Sequence, residues 1–299
     1  MQYFITFCLC IFLHLFQPLQ AQEYKTLQRL NTPELEIFYS NNQKPVATTI
    51  AHRAHDAILY YQYLLQFKPQ VTLLVLAPDD WKLYTKSPVY GMPHYSGSKI
   101  LNVASSDNAF WNSFLPPLDQ LPLPLHSQIV KTYRDSNRVS MRPFFDLLAL
   151  HELGHAFHMQ ANLEMQRKWM GELFVNILLH TYIAEKDTAS LAALTLFPRM
   201  VIGNGVKEYT YTSLQSLDEG YDDIARNHPK NYGWYQCRLH AGAAKIYERD
   251  GKLAAVKLWN ALKHTTTRLD DKELLQLLET NGLTSIADLI RDWDRGTSQ

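Results

Sequence analysis

Net charge is the first thing this 299-residue chain lacks: 29 lysines and arginines stand against 29 aspartates and glutamates. A balanced chain raises no positive field to gather phosphates, which speaks against a nucleic-acid binder. An acidic disordered tail is equally absent. Glycine (12) and proline (14) are too scarce for a collagen-like or low-complexity chain, and no internal repeat is visible. Cysteine is scarcer still. Of the three, Cys8 and Cys10 lie in the apolar start of the chain, which leaves Cys237 alone after it. A lone thiol closes no internal disulfide, so stability has to come from the core or from a bound metal. Cys237 itself reads as a small buried hydrophobe. Also missing is an apolar stretch of about 20 residues, the length a spanning helix needs.

What is present begins with residues 3–16 (YFITFCLCIFLHLF), an apolar run that stops at Gln17-Pro18 and exits through Leu19-Gln20-Ala21. Its length and position read as a secretory signal peptide, residues 1–21, cut after Ala21. The mature protein is then secreted or periplasmic, with no stable membrane span. The first residues carry no Lys or Arg and Leu19 is large for its place, so an uncleaved anchor stays the alternative. The remaining composition, 46% hydrophobic and 19% charged, is that of an ordinary globular protein able to build a core.

The pattern then changes along the chain. Residues 34–39 alternate as a strand, and residues 46–67 carry a helical period. Residues 71–77 (VTLLVLA) form the continuous apolar run of a central strand buried on both faces. Residues 99–104 read as a further strand. Between them Gly91-Met92-Pro93-His94 carries a proline that only a sheet edge or a turn accepts. Residues 107–126, with Pro116, Pro117, Pro122 and Pro124, read as an irregular connection. Beyond Pro143, which suits the first turn of a helix running to Gln160, the chain reads as nearly all helical. A second apolar helix covers residues 168–185, and Gly251 and Gly282 read as helix stops.

The chemistry lies in His151-Glu152-Leu153-Gly154-His155. Four residues of helix turn a side chain by about 40° and raise it by about 6 Å, so both imidazoles share one face. Two of their nitrogens can then meet one Zn²⁺ at about 2.0–2.1 Å. Glu152, beside that face, can reach a metal-bound water without being a ligand, as a general base does. Two histidines and a glutamate cost several kcal/mol in an apolar helix if buried without partners. Gly154 adds about 1 kcal/mol of helix penalty relative to alanine. A helix that only packed would not carry these residues.

A third ligand is required. The branch of zinc peptidases with the pattern HExxHxxGxxH is excluded, because His158 stands where its glycine belongs and Ala161 where its third histidine belongs. Glu172 is the best candidate, as the one carboxylate in the apolar run Trp169-Met170-Gly171-Glu172-Leu173-Phe174-Val175-Asn176. Its burial makes sense if it neutralises a cation. Glu164 is the runner-up, among the polar neighbours Gln166, Arg167 and Lys168. Asn176, four residues after Glu172, shares its face, and its amide oxygen could accept the second N–H of one liganding histidine. His158 reads as lining the cleft or supporting a ligand. His94 and His180 receive no metal role.

HELGH followed by a glutamate within WMGELFVN resembles the gluzincins, the thermolysin and aminopeptidase-N group of zinc peptidases. The order of strand, long helix, apolar strand and edge segment is similar to that group's. So is the stretch NYGWYQCRLHAGAAKIYERDG with the short helices after it. The resemblance spans nearly the whole mature chain. It implies an α+β, thermolysin-like (zincin) fold. An N-terminal subdomain with a mixed sheet would occupy residues 22–140, and a zinc-binding, mainly helical subdomain residues 141–299. It implies a zinc-dependent peptidase acting on a peptide or protein substrate. Its edge strand would pair with the substrate backbone and put Gly91, Met92 and His94 along the cleft. It further implies a tyrosine that stabilises the oxyanion. Tyr235 is preferred for its spacing to Gly251, and Tyr232 stays open. Many members carry an aspartate where Asn176 stands. The partial match of Gly91-Met92-Pro93-His94 to the GxMEN motif leaves exopeptidase and endopeptidase undecided. Two rivals remain: an inactive zincin-fold peptide- or protein-binding protein, against which the intact Glu152 argues, and a structural protein with a chance motif.

Overall fold

A computed structural model describes residues 24–297 apart from Ser98 and Ser136. The expected signal peptide, residues 1–21, lies outside these residues. Among them, no helix is long and apolar enough to cross a membrane.

The first half is built on strands. Antiparallel β1 (Gln28–Asn31) and β2 (Glu36–Tyr39) lead into α1 (Lys44–Leu65), whose Pro45 sits in the first turn where a missing N–H costs nothing. The chain returns as β3 (Thr72–Leu76), parallel to β2. Leu73, Leu74, Val75 and Leu76 have no exposed surface, as the unbroken apolar run predicts for a strand covered on both faces. The short α2 (Pro78–Tyr84) follows, then β4 (His94–Ser96) and β5 (Ile100–Ala104). The sheet order is β1-β2-β3-β5-β4, with β5 parallel to β3 and β4 antiparallel to β5 at one edge. The proline-bearing segment thus delivers an edge strand, but a shorter and later one than its sequence suggests. Gly91 belongs to the preceding turn.

The connection expected to be irregular over residues 107–126 is more ordered than its prolines imply. It contains α3 (Ala109–Asn112), capped by the Asn108 side chain, and the start of α4 (Leu123–Thr132). Pro124 falls in the first turn of α4, where proline is tolerated. A two-residue hairpin, β6 (Arg134–Asp135) with β7 (Arg138–Val139), closes this part.

From there the described elements are helical: α5 (Arg142–Gln160), α6 (Lys168–Lys186), α7 (Leu191–Gly203), α8 (Leu214–Asn227), α9 (Pro229–Asp250), α10 (Leu253–Lys263), α11 (Asp271–Thr280) and α12 (Thr284–Arg291). Gly251 caps α9 and Gly282 follows α11, both with positive φ. The fold is therefore α+β, a small mixed sheet against a large helical assembly. α5 joins the two, since it packs on β4 and β5 on one side and on α6 on the other. α6 is the buried centre: fifteen of its nineteen residues are buried, between α5, α8, α9 and α10. Gly154 of α5 makes the closest approach possible. A Cβ there would lie 3.0 Å from the Val175 Cβ on α6.

Candidate metal centre

His151 and His155 project from one face of α5, as their spacing dictates, and α6 supplies Glu172 opposite them. The Glu172 Oε2 lies 3.1 Å from His151 Nε2 and 3.7 Å from His155 Nε2. Donors held tetrahedrally at about 2.0–2.1 Å from an ion stand about 3.3 Å apart. The two separations bracket that value. All three ligand atoms fall within 4.8 Å of one another, in a group that could hold a metal ion. Glu172 and His151 are buried and His155 is partly open. The alternative ligand, Glu164, is used differently: its Oε1 accepts from the backbone N–H of Gln166.

The outer nitrogens of both imidazoles are occupied. His151 Nδ1 is 3.1 Å from Asn176 Oδ1, an oxygen that can only accept. That contact puts the His151 proton on Nδ1 and leaves Nε2 for the ion. His155 Nδ1 meets His158 Nε2 at 2.8 Å, which turns that nitrogen of His158 toward His155 and away from the group. Burial lowers His155 to about 3 and His158 to about 4. Both are neutral imidazoles, the form that coordinates metals. Burial pushes His151 down as well. Glu172 beside one nitrogen and Asn176 beside the other outweigh it, and the group sits above its ordinary value.

Glu172 is held from its other side. Its Oε1 accepts from the Tyr221 hydroxyl at 2.5 Å, and the Tyr221 and Tyr232 hydroxyls are 2.8 Å apart. Gln236 Nε2 donates to the Tyr232 oxygen at 2.8 Å. Burial alone would raise the Glu172 carboxyl. The neighbouring His155 and His151, with Tyr221, hold it well below the usual carboxylate range instead. Glu152 next to it behaves oppositely. Burial, opposed by His151 but reinforced by Glu172, pushes it up to about 7. Its Oε2 accepts the backbone N–H of Tyr95, in edge strand β4, at 3.0 Å.

The role expected of Tyr235 needs correction: its hydroxyl donates to the Ser213 carbonyl at 2.8 Å while its ring stacks on Trp293. Tyr232 and Gln236, four residues apart, share the α9 face that meets Tyr221. Tyr235 is rotated off that face, and its distance to Gly251 carried no information about direction. Gly91, Met92 and His94 lie just before and at the start of β4. Gly91 has φ +106°, its carbonyl accepts from Trp111 Nε1 at 2.6 Å, and a Cβ on it would collide with Asn108. The His94 ring packs edge-on against Trp81, its Nδ1 3.0 Å from the Met92 carbonyl. Gly91 and Met92 precede β4, His94 opens the strand, and Tyr95 is the strand residue bonded to Glu152.

Tyr221, Tyr95 and His240 were not foreseen. Tyr221 stands in the polar helix α8, directly after Gly220, where the helical backbone is interrupted. Only the fold brings it to Glu172, 49 residues away. Compared with protein families, curated proteins and solved structures, the chain matches none of them.

Proposed function

We propose that the protein is an exported zinc peptidase of the gluzincin type with a thermolysin-like arrangement. The observation that carries this reading is the convergence of His151 Nε2, His155 Nε2 and Glu172 Oε2, with Glu152 immediately beside them. Two imidazoles and one carboxylate are the ligand set of a catalytic zinc, which keeps a fourth position open. When bound, Zn²⁺ would lower the pKa of a water and polarise the scissile carbonyl.

The chain's own groups divide the remaining work. Glu152 takes the proton of the attacking water and returns it to the leaving amine. Tyr95 N–H occupies its Oε2, which leaves Oε1 for that transfer. Tyr221 has a single hydroxyl proton, and Glu172 receives it. Tyr232 is therefore the donor in the contact between the two hydroxyls, and its proton is the one that can turn to an oxyanion. β4 is an edge strand, and an extended peptide would lie along it beside the Tyr95 N–H that Glu152 holds.

The test is metal analysis of the purified protein together with hydrolysis of a mixed peptide library. One zinc per chain with cleavage is expected, and Glu152→Gln should keep the zinc and lose at least a hundredfold in rate. A wild type that holds zinc but cleaves nothing would favour a peptide-binding protein. A wild type without zinc would end the metal reading altogether.

A further inference from the structure

Behind His151 lies a second layer of polar groups that the proposed reaction does not use. Asn176 Oδ1 is shared between His151 Nδ1, at 3.1 Å, and His240 Nδ1 of α9, at 3.2 Å. Asn176 is 2% exposed and His240 5%. Two atoms in this layer have no hydrogen-bond partner, Asn176 Nδ2 and His240 Nε2. The His180 ring lies edge-on against His240, with ring centres 5.9 Å apart, and its Nδ1 has no partner either.

These gaps decide the chemistry. An amide has an accepting face and a donating face of nearly the same shape, so something must choose between them. Asn176 Nδ2 has no acceptor to hold it. His151 cannot choose alone, because either tautomer satisfies one face: Nδ1–H meets the oxygen, and bare Nδ1 meets the NH₂. His240 supplies the second contact: its Nδ1 lies 3.2 Å from the same oxygen, which can only accept, so its proton belongs on Nδ1. The Asn176 NH₂ left without an acceptor opposes this orientation, so it takes donors from both rings to hold the oxygen there. Burial keeps the ring neutral, so only one nitrogen carries a proton.

We propose that His240 is a positioning residue for the metal centre. It fixes the Asn176 amide with its oxygen toward His151, so that the His151 proton stays on Nδ1 and the Nε2 lone pair stays available to the ion. Without it the amide is free to turn its NH₂ to His151 and send the proton to Nε2. Glu172 Oε2, 3.1 Å away, would accept it there and the ligand would be lost. An aspartate at position 176 has no donating face and would make His240 dispensable.

The inference rests on the metal-binding reading, and the experiment separates the two. Zn²⁺ affinity is measured by chelator competition for the wild type, His240→Phe, Asn176→Asp and the double variant. His240→Phe keeps a ring against His180 and removes the donor. It should weaken binding by about 10–100-fold, the usual effect of losing an outer partner of a ligand. In the Asn176→Asp background the same change should alter affinity less than about threefold. Equal losses in both backgrounds would show a packing effect, and unchanged binding in His240→Phe would show none; either overturns the proposal. If wild type binds no zinc, the peptidase reading fails instead. The tautomer of His240 in the wild-type protein, read from its ring nitrogen-15 shifts, tests the same inference without any variant or metal. A proton on Nδ1 is expected, and a proton on Nε2 overturns it.

Discussion

Glu172 has its two oxygens committed to different tasks, Oε2 to the histidine pair and Oε1 to the Tyr221 hydroxyl. This division would leave one carboxylate oxygen to a bound metal, and it gives Tyr221 a measurable role. Tyr221→Phe removes a hydrogen bond to a charged group, worth about 1.5–3 kcal/mol, and should weaken Zn²⁺ binding about tenfold or more in a chelator titration. Unchanged affinity would mean that the histidines alone orient Glu172. A second carboxylate shows the opposite condition. Asp146 on α5 has a buried Oδ1 without a partner and only a distant ion pair, 4.0 Å, to Arg142. Burial, partly offset by Arg142 and Arg53, raises it to about 6. An acid bound more tightly to its proton in the folded state loses stability as pH rises from its unfolded value, about 4, through 6. The loss is at most about 3 kcal/mol. Asp146→Asn should therefore raise the Tm at pH 8 and leave it unchanged at pH 4. An equal shift at both would refute the assignment. The group that could hold a metal, His151, His155 and Glu172, was legible from the sequence because each residue breaks an apolar helical run at a definite spacing. Tyr221 was not, since nothing in a polar surface helix marks the one tyrosine that turns inward.

At the level of the helix pair, α5 and α6 carry all three ligands, and Gly154 sets how near they stand. Alanine at that position would gain about 1 kcal/mol in helix propensity. Against this, its Cβ would meet the rigid, fully buried Val175 at 3.0 Å, and overpacking typically costs about 1–3 kcal/mol. The steric term is the larger. Gly154→Ala should lower the Tm and weaken zinc binding, because the ligands are pushed apart with their helices. A higher Tm with unchanged affinity would show that Val175 can yield. The bounds of α5 could be read from Pro143, and β3 from its unbroken apolar run. α4 was hidden because Pro122 and Pro124 look like loop residues until the second is seen in a helix's first turn. Likewise β1 has no period long enough to announce itself, and only pairing with β2 reveals it.

For the molecule as a whole, the α+β order of sheet first and helices afterwards followed from the change of hydrophobic period along the chain. The placement of α8 against α6 did not, because it rests on polar contacts between distant residues. Asp218 accepts the backbone N–H of Lys168 at 2.6 Å, and Asp222 pairs with its side chain at 2.7 Å. Such contacts leave no periodic trace. Among the described residues Cys237 has no disulfide partner, and a bound ion would cross-link α5 to α6. A ligand at a thousandfold excess over its Kd stabilises the folded state by about 4 kcal/mol. Chelation should thus lower the Tm by roughly 10 °C, reversibly on adding zinc. No change on chelation would separate the site from the stability of the fold.

The burial of α6 has one more consequence. Its backbone amides, from Trp169 to Ile183, lie in a segment buried on nearly every side, and local fraying offers them no route to solvent. In deuterated water that stretch should take up isotope last, at the pace of whole-chain opening. The carboxylate offered to an ion would then ride on the slowest-breathing part of the protein, while the tyrosine bonded to it stands on α8, where only Leu217 and Ile224 are buried.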